Sequence, residues 1–148
     1  MKTFSAYLVL ALCLSISPIK ATNTYNKNAS FSSVAQNNKN AVINVIKKLT
    51  RATANGDVSA LKRLTTDDFF KKHYPYSDAQ IRKLLLSVPQ EKRKILIDHI
   101  ENRSKFSVIF SRARDYATVI VTNQISGKEM TYNLIYEDGY WKICDYSY

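Results

Sequence analysis

The last third of this chain constrains its fold most, because it alternates apolar and polar residues between tight-turn dipeptides. Asp138-Gly139 stands between two such runs. A two-residue hairpin turn needs positive φ at both central positions, and Asp-Gly is among the few pairs that tolerate it. The period is two from Lys105 onward. Phe106, Val108 and Phe110 alternate with Ser107, Ile109 and Ser111, and Ala117, Val119 and Val121 with Thr118, Ile120 and Thr122. Met130, Tyr132, Leu134 and Tyr136 predict a third strand, and Trp141 with Ile143 a fourth. Arg114-Asp115 and Ser126-Gly127 are the turns between them. The result is an antiparallel meander with one apolar face.

The middle of the chain has a helical period instead. Val42, Val45, Ile46, Leu49 and Ala52 recur at helical spacing, which predicts a helix from near Asn40. Asn55-Gly56 supplies a left-handed stop, and Asp57 is placed to cap a second helix carrying Val58, Leu61 and Leu64. Thr66-Asp67-Asp68 opens a short helix holding Phe69 and Phe70 that ends before Pro75. Ser77-Asp78-Ala79-Gln80 matches a capping box, and Pro89 starts a last helix with Ile95, Leu96, His99 and Ile100. Helices followed by an antiparallel sheet define an α+β domain, with the helices packed on one sheet face.

The N-terminus reads differently. Lys2, the apolar run Tyr7 to Leu14 and the edge Ile19-Lys20-Ala21 match a secretory signal over residues 1–21. The run is shorter than the roughly 20 residues of a membrane span. A lipid anchor at Cys13 is disfavoured, since Leu12 sits where such sites want a small residue. Residues 22–39, rich in Asn, Ser and Thr, read as a flexible leader, and 40–148 as the domain. The expected location is therefore periplasmic or extracellular. Cleavage after Ala21 leaves 20 Lys and Arg against 12 Asp and Glu, a formal charge of +8. Cys144 is then the only cysteine, so no internal disulfide is available and the fold rests on packing.

The order of elements resembles the nuclear transport factor 2-like (cystatin-like) superfamily, and within it the small exported bacterial domains of unknown function. The residues that carry the resemblance are Ala54-Asn55-Gly56-Asp57, Leu61-Lys62-Arg63-Leu64, Ala117 to Val121 and the closing Glu137 to Ile143. The resemblance covers about Asn40 to Tyr148. It implies a cone-shaped half-barrel, a curved four-stranded sheet wrapped around a long helix. The interior of that cone is catalytic in some relatives, a ligand site in others and plain core in many, so fold alone does not choose.

Enzymatic relatives place an Asp or His base opposite a Tyr or acid in a dry pocket, and such a pocket needs roughly 300 Å³. Strict alternation along the last strand offers one inward carboxylate here, Asp145. His99 follows an apolar stripe, and Asp98 beside it in sequence does not share its helix face. Tyr74 and Tyr76, in the polar cluster with Asp67, Asp68 and His73, are read as helix-end residues or as contacts at the rim of the cone. The candidate ligand-contacting residues are Tyr74, Tyr76, His99, Tyr132, Trp141 and Asp145. No metal is expected, because the His and Asp spacings match no ligand motif. No cofactor is expected either, because the chain has three Gly and no phosphate-binding loop.

The basic pairs, among them Lys47-Lys48, Lys62-Arg63 and Lys92-Arg93-Lys94, fall mostly on outward helix positions. An exported protein is not expected to meet nucleic acid; a weak, salt-dependent contact with an anionic surface fits better. The expected function is a non-catalytic binding or accessory domain that takes a small apolar ligand or an envelope protein. The alternative is an isomerase- or dehydratase-like enzyme using a pocket Asp or His with a Tyr. A homodimer through the open sheet face is a third expectation.

Overall fold

The computed structural model describes residues 33–148, and their side chains from residue 39 onward. The expected signal segment 1–21, with Cys13, lies outside the described residues, as does most of the expected leader. Five helices precede the sheet: α1 (Ser33–Asn55), α2 (Val58–Leu64), α3 (Asp67–His73), α4 (Asp78–Leu86) and α5 (Gln90–Asn102). Four antiparallel strands follow in sequential order: β1 (Ser104–Phe110), β2 (Tyr116–Asn123), β3 (Glu129–Glu137) and β4 (Tyr140–Ser147). The helices pack on this sheet in an α+β arrangement.

α1 starts at Ser33, before the position that apolar spacing predicts. Its apolar stripe begins only at Val42, so the earlier turns give no periodic signal. From Val42 onward the stripe is buried: Val42, Ile46 and Leu49 pack with Ala117, Val119, Leu134 and Ile143 of the sheet in one core. Burying an aliphatic side chain of this size contributes about 1.5–3 kcal/mol.

α1 ends in a Schellman motif. Gly56 N–H donates to Thr53 O and Asp57 N–H to Ala52 O, with Gly56 at φ +65°. Asp57 then turns to cap α2, its Oδ1 accepting from Ala60 N–H at 2.9 Å. Two arginines close the same end: Arg93 Nη1 donates to Ala54 O and Arg82 Nε to Gly56 O. Carbonyls left open at a helix end are thereby satisfied by α4 and α5, which fixes both helices against α1. Glu101 adds an ion pair between α5 and Arg51 of α1 at 2.6 Å. Thr66 N–H donates to Ile143 O at 2.9 Å, which ties the α2–α3 link to the β4 edge.

The β3–β4 turn has φ +54° at Asp138 and +82° at Gly139, the two positive values that the Asp-Gly pair predicts. The register from Glu137↔Tyr140 to Leu134↔Ile143 is regular, and then shifts so that Asn133 faces Asp145. Cys144 is the extra residue of this β-bulge. The shift reverses the parity of the strand end. Trp141 and Ile143 point inward, but the next inward residue is Tyr146, opposite Tyr132. Strict alternation puts Asp145 inside, and the bulge corrects it to the other face.

Gly56 is where a side chain is least tolerated. A Cβ there meets Leu86 Cγ at 2.9 Å, and the left-handed backbone adds strain. Leu86 is half exposed and can yield, so the backbone sets most of the cost. Gly56→Ala is expected to lose about 1–2 kcal/mol in urea unfolding, and Gly56→Asn less. Equal stability of Gly56→Ala and the parent would remove the helix stop from this account.

Candidate functional site

α1 carries two threonines on its buried stripe, and they mark where the core is incomplete. Thr50 and Thr53 follow Leu49 on the side that faces the sheet, and both are buried. A buried helical Thr usually bonds back to the carbonyl one turn earlier. Thr50 does so, donating to Ile46 O at 3.1 Å, and Thr65 at the end of α2 donates to Leu61 O at 2.8 Å. Thr53 differs. Its Oγ1 is buried without a hydrogen bond of good geometry, although the Tyr74 hydroxyl lies close enough to affect the phenol's titration.

Thr50 and Thr53 line a cavity of about 80 Å³ between α1, α5 and the β2–β3 end of the sheet. Its depth is apolar: Leu49 from α1, Leu96 and Ile100 from α5, Val121 from β2 and Met130 from β3. Tyr132 forms part of the same wall. The mouth is polar, with His99, Ser104, Asn123, Ser126, Lys128 and Glu129.

Asn123 organises the mouth. Its Oδ1 accepts from the backbone N–H of Ile125 at 2.9 Å and of Ser126 at 3.0 Å, which shapes the β2–β3 turn. Gln124 N–H donates to Arg103 O, so the turn is fastened to the α5–β1 junction. The remaining group of Asn123, Nδ2, lies 3.4 Å from His99 Nδ1. Since Nδ2 can only donate, Nδ1 is the acceptor and neutral His99 carries its proton on Nε2.

Beyond Thr53 lies an aromatic cluster. His73 packs between Phe69 and Tyr146, with ring centroids at 4.4 and 4.9 Å, and its Nδ1 is 3.4 Å from the Tyr146 hydroxyl. Tyr146 also meets Tyr132, which links the cluster to the cavity wall. Burial pushes the Tyr74 phenol up to about 12, against a smaller opposing effect of the Thr53 hydroxyl. Burial likewise raises Tyr146. For His73 burial lowers the pKa, Lys72 lowers it further, and Asp145 partly opposes them. These groups are therefore neutral near pH 7.

The six candidate residues do not form one site. His99 and Tyr132 line the cavity, and Tyr74 stands behind it next to Thr53. Tyr76 lies instead in an open surface groove with Phe70, Lys62 and Asp78. Trp141 is core at the other end of the sheet, against Phe110 and Tyr136. Asp145 is on the outer side of β4, its Oδ1 3.9 Å from Lys72 Nζ. Asp98 pairs with Arg103 at 2.6 Å, not with His99. Among the described residues no group of three or more His, Cys, Asp or Glu is placed to hold a metal ion. Thr53, Asn123 and Lys128 enter only through the structure. For Thr53 a signal exists, since 42, 46, 49 and 53 continue one helical stripe and the last is polar. Compared with known families, curated proteins and solved structures, the chain matches none.

The His73 shift has a sign that can be checked. Unfolded His titrates near 6.5, and folded His73 below that, so between the two values the unfolded chain binds more protons. Stability is expected to fall as pH drops below about 6.5. Urea unfolding of the parent and of His73→Phe, compared between pH 7.5 and pH 5, reads this directly. The variant should show the shallower pH dependence; parallel curves would mean that His73 is not the group responsible.

Proposed function

We infer that this protein is a non-catalytic binding domain whose ligand enters the cavity between α1, α5 and the sheet. The observation that carries the reading is Thr53: a buried hydroxyl, lining an otherwise apolar cavity, that the fold does not use well. A hydroxyl in such surroundings without a good partner costs about 1–3 kcal/mol. The small volume selects a small ligand, since sites for drug-sized molecules run to roughly 300–1,000 Å³. The half-barrel of nuclear transport factor 2-like domains, with its ligand in the cone, is the architecture that agrees with this reading. Export to the periplasm or the outside by the segment 1–21, and an accessory role there, complete it.

The enzyme alternative has one observation in its favour, that His99 and Tyr132 both line the cavity. Against it, Asp145 is on the outer side of the sheet and Asp98 is bonded to Arg103 and Asn102. The carboxylate at the mouth, Glu129, accepts from Thr122 Oγ1. No acid–base pair with a facing donor is assembled from these groups, which favours binding over catalysis.

Two variants test the reading. Thr53→Val should raise the stability of the ligand-free protein by about 1 kcal/mol while weakening ligand capture. Val121→Phe should fill the cavity and abolish capture. Methyl NMR of Leu49, Ile100, Val121 and Met130 during titration with small fragments gives the readout. Shifts confined to these methyls in the parent, and absent in Val121→Phe, are expected. Unresponsive methyls with every fragment would sink the binding reading.

A further inference from the structure

The chemistry of the cavity mouth specifies more than its volume. Lys128 forms no ion pair with any of the described residues, whereas Lys142 and Lys62, for example, each have a carboxylate partner. His99 offers its Nε2–H, because Asn123 Nδ2 occupies the Nδ1 side. Glu129, the carboxylate at the mouth, accepts from the hydroxyl of Thr122, its cross-strand partner. The mouth thus holds a cation without an ion-pair partner among the described residues, a ring donor, and a carboxylate already engaged by Thr122. In the depth, beyond a stretch of aliphatic wall, stands the Thr53 hydroxyl.

We propose that the cavity binds a short-chain carboxylate with an oxygen near the far end of its chain, such as a hydroxy acid of about four carbons. This rests on the binding reading above and names the ligand class for that site. The carboxylate stays at the wet mouth, attracted by Lys128 and accepting from His99, so no charge is carried into the apolar depth. The chain fills the cavity: a dry cavity of about 150 Å³ holds benzene, so about 80 Å³ accommodates three or four chain atoms. The distal oxygen gives the Thr53 hydroxyl a partner of better geometry than the Tyr74 phenol supplies within the fold.

Three related probes separate the parts of the claim: 4-hydroxybutyrate, its amide 4-hydroxybutyramide, and butyrate. Each is titrated into the full chain with the cavity methyls as readout. The hydroxy acid should bind tightest, and the other two about tenfold more weakly. Lys128→Ala, at an exposed position that leaves the fold alone, should make acid and amide equal. Thr53→Val should make the hydroxy acid and butyrate equal. Equal binding of acid and amide to the parent would overturn the anionic class, and equal binding of hydroxy acid and butyrate would overturn the role of Thr53. If neutral fragments shift these methyls but none of the three probes does, the ligand class falls and the binding site stands. If nothing shifts them, the failure belongs to the site itself.

Discussion

The packing of α1 across the inner face of the sheet is the interaction on which the rest of the structure depends. Ile46, Leu134 and Ile143 are fully buried at its centre, with Val42 and Val119 beside them. Removing one such side chain typically costs about 2–5 kcal/mol, comparable with a large part of a domain's total stability. The other helices are placed relative to α1. Its C-terminal carbonyls are the anchor for Arg93 and Arg82, its last residues form the Schellman motif, and its side meets α5 through Glu101. Among the described residues no disulfide contributes, since Cys144 is free.

That same packing creates the cavity. The stripe of α1 is aliphatic from Val42 to Leu49 and becomes polar at Thr50 and Thr53, just where α5 and the β2–β3 end close over it. Threonines fill less space than leucine there and leave about 80 Å³ open. The proposed binding function thus follows from a change in side-chain chemistry along one helix face. The mouth is kept in shape by a separate device, Asn123, which spends its carbonyl on the turn and its amide on His99. The aromatic cluster behind Thr53 closes the inner end and stays neutral because burial disfavours charge on its histidine and tyrosines.

Much of the fold was legible in the sequence, because its signals are local. Gly56, Asp57, Ser77-Gln80 and Asp138-Gly139 each dictate a conformation with their own backbone and near neighbours, and the structure has each of them. The two-residue period likewise located all four strands. The beginning of α1 was not legible, since its first turns carry no apolar stripe. Nor was the bulge at Cys144, because one extra residue leaves no mark in a pattern that alternates on both sides of it. That single shift moved Asp145 outward and Tyr146 inward, and with them the chemistry of the strand. The candidate site was legible only in part. His99 and Tyr132 stood out as polar or aromatic groups on apolar stripes, whereas Lys128 and Asn123 reach the cavity through tertiary closure, which no local period reports.

The central claim is that this cavity exists to hold a small molecule, and native mass spectrometry of the protein, gently isolated from its own host, tests it most directly. A reproducible adduct of about 100 Da, the mass of a ligand with a few atoms in the cavity and a polar head at its mouth, is the expected result. It should vanish in Val121→Phe. A bare mass for the parent under conditions that preserve weak complexes would contradict the claim and leave the cavity a packing defect beside α1.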